Sequence, residues 1–114
     1  MSADNGVYIL ENLGKDGKPE YRIAYCSAVE NIFYDRSDFE SISIADLYTS
    51  GLFGKSEVYY DKSIAILNAH KIADNCDFLE YGVKNIKQNK AFPNISSEEA
   101  WERIDNISKV NMEM

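Results

Sequence analysis

The chain has 114 residues, of which 45% are hydrophobic and 27% charged, and this composition argues against intrinsic disorder. It carries 19 acidic and 12 basic side chains, a net charge of -7, which argues against general nucleic-acid binding and favours a basic protein partner. No apolar run reaches the length of a membrane span, and no secretory apolar region is present. We therefore expect a cytoplasmic protein with reduced thiols that is not inserted in a membrane.

The first third of the chain predicts an antiparallel hairpin. The β-branched and aromatic residues of Gly6–Asn12 and of Tyr21–Cys26 are typical of strands. Two glycines, an Asp-Gly step and a proline lie between them and predict a turn. Alternation along the second strand then holds Arg22 rigidly on the face opposite Tyr25.

Capping signals predict where the helices begin. Residues 27–30 and 96–99 match a capping box, and they indicate a short helix and the final helix, respectively. Asp61 is placed to cap the clearest helix, at about Lys62–Asn75. The segment Asp35–Gly54 predicts a loop that contains one short helix.

The helix after Asp61 has an apolar stripe that we expect to face the sheet. The stripe consists of Ala65, Ile66, Ala69, Ile72, Ala73 and Cys76. Ile64 and Leu67 lie on the opposite side with Lys71, so either the C-terminal helix covers them or they belong to an interface. Together with Trp101, which anchors the final helix or a subunit interface, these two residues predict a possible homodimer.

Two further strands, at Glu57–Tyr60 and at Phe78–Ile86, complete the prediction. The order of elements indicates an α+β fold with a mainly antiparallel four-stranded sheet, helices packed on one face, and a C-terminal helix. We expect a single domain over residues 1–114. Its core spans about residues 6–86, and its C-terminal helix spans about residues 97–110.

The sequence contains no clear pattern for catalysis or metal binding. Cys26 and His70 are the only obvious pair of nucleophile and base, and we expect Cys26 to pack as a small hydrophobic residue instead. One histidine without a close cysteine pair does not supply the usual ligands of zinc, and the glycines form no phosphate-binding fingerprint. We expect no cofactor, no metal and no enzymatic activity, with a small enzyme using Cys26 and His70 as the last alternative.

Two sets of residues are candidates for binding. The stretch from Glu30 to Asp46 holds five acids and one arginine and is either a solvated loop or a docking surface for a basic partner. The candidate protein-binding residues are Asp35, Asp38, Glu40, Asp46, Ile64 and Leu67.

The candidate residues for a small polar ligand are Arg22, Tyr25, Glu30, Asn31 and Tyr81. In a nucleotide site, Arg22 would pair with phosphate and Tyr81 or Tyr25 would stack on a base, although structural hydrogen bonding explains this second set equally well.

Four segments carry a resemblance to other proteins. They are Ala3-Asp4-Asn5-Gly6-Val7-Tyr8-Ile9-Leu10, Tyr21-Arg22-Ile23-Ala24, Ala28-Val29-Glu30-Asn31-Ile32 and Leu79-Glu80-Tyr81-Gly82-Val83. With these segments the chain resembles a family of small bacteriophage proteins of unassigned function. The resemblance implies a phage accessory protein in the bacterial cytoplasm that inhibits a host function, such as CRISPR or nucleotide-signalling immunity. Our first hypothesis is a non-enzymatic inhibitor of a bacterial protein, and the alternative is a protein that sequesters a small nucleotide immune signal.

Overall fold

The computed structural model describes residues 5–27, 44–76, 79 and 82–113. Its elements are β1 (Asn5–Leu13), β2 (Pro19–Ser27), α1 (Ile44–Phe53), α2 (Lys62–Asp74), β3 (Val83–Ala91) and α3 (Ser97–Glu113). The chain divides into two compact units. The first comprises Met1–Glu30 and Ser56–Phe92, and the second comprises Asn31–Lys55 and Pro93–Met114. The α+β class is confirmed, whereas one domain over the whole chain stays a prediction.

The first unit contains a three-stranded mixed sheet with the strand order β2-β1-β3. β1 and β2 form the predicted antiparallel hairpin, with Ile9 opposite Ile23. β3 lies on the other side of β1 and runs parallel to it, with Val7 opposite Val83. The prediction of a four-stranded, mainly antiparallel sheet is therefore wrong, because the described residues form three strands and one of the two pairings is parallel.

The error comes from the third and fourth predicted strands. The predicted strand Glu57–Tyr60 makes only an isolated bridge, in which Tyr21 and Tyr59 exchange two backbone hydrogen bonds of 2.8 Å each, because Asp61 caps a helix directly afterwards. The last strand begins at Val83 and continues to Ala91, through lysines that are typical of a loop. The connection from β2 passes through α2 and returns the chain beside β1 in the same direction, as parallel pairing requires.

The core of the first unit lies between α2 and one face of the sheet. Its buried members are Val7, Ile9, Tyr21, Ile23, Ala65 and Ala69. The predicted apolar stripe of α2 is confirmed at its centre, where Ala65 and Ala69 are fully buried, while Ile72 at its margin is 39% exposed. The opposite face of β1 is buried as well, since Tyr8 and Leu10 have no exposed surface. β1 is thus the central strand, buried on both faces.

The second unit contains α1 and α3. Its apolar cluster consists of Leu47, Ala100 and Ile104, with Tyr48 and Ile95 packed against it. The short helix expected between residues 35 and 54 is confirmed as α1, and the C-terminal helix is confirmed as α3. The amide of Glu99 donates to Ser96 Oγ at 3.1 Å, which is the capping bond that the sequence predicts for this helix. The other predicted capping box, at residues 27–30, begins a segment outside the described residues.

Trp101 packs inside the second unit. Its Nε1 donates to the carbonyl oxygen of Gly51 at 3.0 Å, and its ring meets Tyr48 edge to face with centroids 6.0 Å apart. This arrangement satisfies the indole N–H and buries most of the ring, which is 37% exposed. Trp101 therefore has the anchoring role expected within its own chain, while the homodimer stays a prediction.

Candidate functional site

Two large aliphatic side chains of α2 point away from the core. Ile64 is 50% exposed and Leu67 is 56% exposed, and Lys71 is exposed one turn further along. These three residues form what we call the outer α2 face. They follow an i, i+3, i+7 spacing, which places them on one side of a helix. Both alternatives that the sequence leaves open, coverage by the C-terminal helix and an interface, stay predictions.

The local sequence holds the outer α2 face rigidly. Asp61 Oδ1 accepts hydrogen bonds from the amides of Ser63 at 2.8 Å and Ile64 at 3.3 Å, which satisfies two free donors of the first turn. On the opposite side of the helix, Ala65 and Ala69 have no exposed surface. Since alanine has no long side chain, the backbone of α2 can approach the sheet closely. A capped and anchored helix presents its exposed anchors without a large loss of conformational entropy on binding.

The acidic candidates are only partly described. Asp46 lies in the first turn of α1, where a carboxylate interacts favourably with the helix N-terminus. Asp35, Asp38 and Glu40 lie outside the described residues, as do the ligand candidates Glu30, Asn31 and Tyr81. The acidic docking segment therefore stays a prediction. Asp46 belongs to the second unit, while the outer α2 face belongs to the first.

Arg22, the central residue of the predicted nucleotide site, is engaged within the protein. Its Nη1 donates to Asn12 Oδ1 at 2.7 Å and lies 3.4 Å from Glu20 Oε1. Its Cζ lies 3.8 Å from the centroid of the Phe92 ring. The side chain is 12% exposed, so a phosphate would have to displace these partners. Tyr25 is 52% exposed on the opposite face of β2, and the structure does not bring it together with Arg22.

Sequence reasoning missed the partners of Arg22. Asn12 has no exposed surface, and its Nδ2 donates to Glu20 Oε1 at 3.2 Å. The hairpin register pairs Asn12 with Glu20 and places Arg22 one residue pair further along that strand face. Alternation from the predicted turn would have found this contact. The sequence gives no signal for the contact with Phe92. This residue follows β3, and the part of that strand after Ile86 is predicted to be a loop.

Cys26 and His70 lie on different sides of the sheet. Cys26 belongs to the face of β2 that points away from α2, and burial raises the pKa of its thiol to about 11. His70 is exposed on α2. A raised pKa keeps the thiol protonated at neutral pH, so this pair lacks both the contact and the thiolate that nucleophilic catalysis requires. Cys26 and Cys76 are both free thiols.

In the described part of the chain, no group of three or more histidine, cysteine, aspartate or glutamate side chains is arranged to hold a metal ion. None of the helices described combines the length and the apolar character that crossing a membrane requires. The chain matches no protein-family model, no curated protein and no solved structure. The resemblance to small bacteriophage proteins is therefore a hypothesis that these comparisons do not test.

Proposed function

We propose that this protein is a non-enzymatic phage accessory protein that acts in the bacterial cytoplasm by binding and inhibiting a host or defence protein. The observation that supports the proposal most directly is the outer α2 face, on which Ile64 and Leu67 are half exposed. Amphipathic helices that dock into grooves use aliphatic anchors at this spacing. The net charge of -7 favours a partner with a basic surface.

The two anchors are too small to account for tight binding by themselves. Burying a whole leucine or isoleucine side chain contributes about 1.5–3 kcal/mol, and half of each side chain is already buried in the free protein. The pair therefore contributes on the order of 2 kcal/mol to binding. We assign the rest to surrounding contacts, with the acidic residues from Glu30 to Asp46 accelerating encounter with a basic partner.

The apolar part of the proposal is tested with the double variant Ile64→Asp and Leu67→Asp. The tagged wild-type chain is used to isolate its partner from bacterial lysate, and the affinity of each variant for that purified partner is then measured. We expect about tenfold weaker binding or more, because two charges replace two apolar anchors. The matched control is Ser63→Asp with His70→Asp, which adds negative charge at two exposed positions of the same helix. Equal affinities for the two double variants would contradict the proposed docking face.

The charged part of the proposal is tested by changing Asp35, Asp38, Glu40 and Asp46 to lysine. We expect the association rate to fall and its dependence on salt concentration to disappear, because steering by opposite charge is screened by salt. The control changes four other acids to lysine, all of them exposed: Asp16, Asp74, Glu102 and Asp105. If both sets lower the rate equally, net charge rather than a defined acidic surface attracts the partner.

A further inference from the structure

The pairing of β3 with β1 contains an irregularity opposite Asn12. Glu11 is paired with Lys87, and the next pair joins Leu13 to Ala91. β1 advances by two residues in this interval while β3 advances by four. The end of β3 therefore carries a bulge of two extra residues, and bulges redirect the side chains that follow them.

Phe92, the residue after this bulge, reaches the polar cluster of the hairpin. It follows Ala91 and lies against the guanidinium of Arg22, whose Cζ is 3.8 Å from the ring centroid. Arg22 is fixed from the other side by Asn12 Oδ1 at 2.7 Å. Because these groups lie at or next to all three strands, we call Asn12, Glu20, Arg22 and Phe92 the strand clasp.

The contact between Arg22 and Phe92 depends on the bulge. If the pairing continued from Lys87 without interruption, Asn89 rather than Ala91 would lie opposite Leu13. Phe92 would then be displaced by two residues, about 6.6 Å along the strand, and would pass beyond Arg22. The contact between Arg22 and Phe92 can form only in the bulged register.

The hydrophobic pattern does not distinguish these two registers. Side chains alternate with a period of two, so a shift by two residues leaves every side chain on the same face of the sheet. The residues concerned are polar, so none of them adds apolar burial to the bulged register. Asn89 and Lys90 are exposed, whereas Gln88 is partly buried and its Oε1 has no hydrogen-bond partner. Some other interaction must select the register.

We propose that the stacking of Arg22 on Phe92 selects the bulged register of β3. A guanidinium that is largely removed from water gains more from an aromatic face than one in solvent does. Loss of either partner leaves the end of β3 free to pair in the continued register, with Asn89 opposite Leu13.

Competitive disulfide trapping in the full chain tests this proposal. The parent protein carries Leu13→Cys, Asn89→Cys and Ala91→Cys, with Cys26→Ala and Cys76→Ala to remove the native thiols. After mild oxidation, trypsin cleaves behind Lys90 and separates the two competing sites, so mass spectrometry measures the ratio of the cross-links from position 13 to positions 89 and 91. We expect the cross-link to position 91 to dominate, since directly paired residues have the separation that a disulfide needs.

Phe92→Leu and Arg22→Met are each introduced into this parent protein. We expect each change to raise the ratio of the 13–89 to the 13–91 cross-link by about tenfold, which lies between the values for an exposed and for a desolvated cation–π contact. Ile23→Val serves as the control, because it weakens the other face of the sheet without touching the clasp. An unchanged ratio in Phe92→Leu would overturn the proposal, and so would an equal rise in the control. Should Arg22→Met fail to fold, the comparison of Phe92→Leu with the control decides the question.

Discussion

The carbonyl oxygen of Gly51 accepts hydrogen bonds from two side chains of α3. Ser97 Oγ and Trp101 Nε1 each lie 3.0 Å from it. This carbonyl belongs to the last turn of α1, where helical carbonyls lack partners within their own helix. Glycine is needed here for space, since a Cβ at position 51 would lie 2.7 Å from Trp101 Cε2.

Gly51→Ala should therefore lower the free energy of unfolding by about 1–3 kcal/mol, the usual cost of overpacking. Without the indole the sign should reverse, because alanine is favoured over glycine inside a helix by up to about 1 kcal/mol. Urea unfolding followed by circular dichroism, with Gly51→Ala made in both the wild type and Trp101→Ala, measures both effects. A loss of stability in both backgrounds would show that the indole is not the cause.

Cys26 should react slowly with alkylating reagents. Burial raises the pKa of its thiol to about 11, and only the thiolate attacks. At pH 8 the thiolate fraction is then about 0.1%, compared with about 10% for an unperturbed thiol of pKa 9.0. Alkylation of the folded protein by iodoacetamide, measured with Cys76→Ala present, should be at least tenfold slower than in urea at the same pH. Equal rates would mean that Cys26 is not shielded.

At the scale of elements, the first turn of α2 is capped by the carboxylate of Asp61. Asp61→Ala should cost about 1 kcal/mol of the free energy of unfolding, since the amides of Ser63 and Ile64 lose their acceptor. Asp61→Ser keeps an acceptor and should cost clearly less. Urea midpoints measure both changes. Two variants of equal stability would indicate that the charge of Asp61, and not its hydrogen bonds, is what matters.

β3 shows why an edge strand is difficult to predict from sequence. The strand carries Lys84, Lys87 and Lys90, a composition typical of loops, yet lysines are also common on edge strands, where they discourage pairing with other chains. One of these lysines has a local role. Lys87 Nζ lies 3.7 Å from a carboxylate oxygen of Glu11 on the neighbouring strand. This ion pair depends on which strand lies beside β3, and the sequence of β3 alone does not contain that information.

For the whole molecule, buried weak acids make stability depend on alkaline pH. Burial raises the pKa of Tyr21 above its ordinary value of 10.0, and the nearby carboxylates of Glu11 and Asp61 raise it further. Burial also raises the pKa of Tyr59, with Glu57 adding to the effect, and that of Cys26 to about 11. Each group holds its proton more tightly in the folded protein than in the unfolded chain. The resulting stability is fully present below the unfolded pKa and is lost as the pH rises through the folded pKa.

We therefore expect the urea midpoint to fall from pH 9 to pH 11. Cys26→Ala should flatten the part of this profile that begins at about pH 9, and Tyr21→Phe should flatten the part above about pH 10. Tyr60→Phe is the matched control, because that side chain is 73% exposed. A profile that falls equally steeply in Tyr21→Phe and in the control would contradict the role assigned to Tyr21.

Much of the fold follows from local sequence. The hairpin, the cap at Asp61 and the buried stripe around Ala65 and Ala69 are confirmed, because strand alternation, turn chemistry and helix capping act over a few residues. Helical periodicity also predicts that Ile64 and Leu67 lie opposite that stripe, but not whether another element covers them.

Only the tertiary structure decided the pairings between distant segments. β3 pairs parallel with β1, and the expected third strand forms only the bridge between Tyr21 and Tyr59. Arg22 contacts Asn12, Glu20 and Phe92. A polar side chain on a strand gives the same sequence pattern whether it binds a ligand or forms a hydrogen bond within the protein. Its role depends on which groups the chain brings into contact with it, and for Arg22 those groups come from both strands of the hairpin and from the residue after β3.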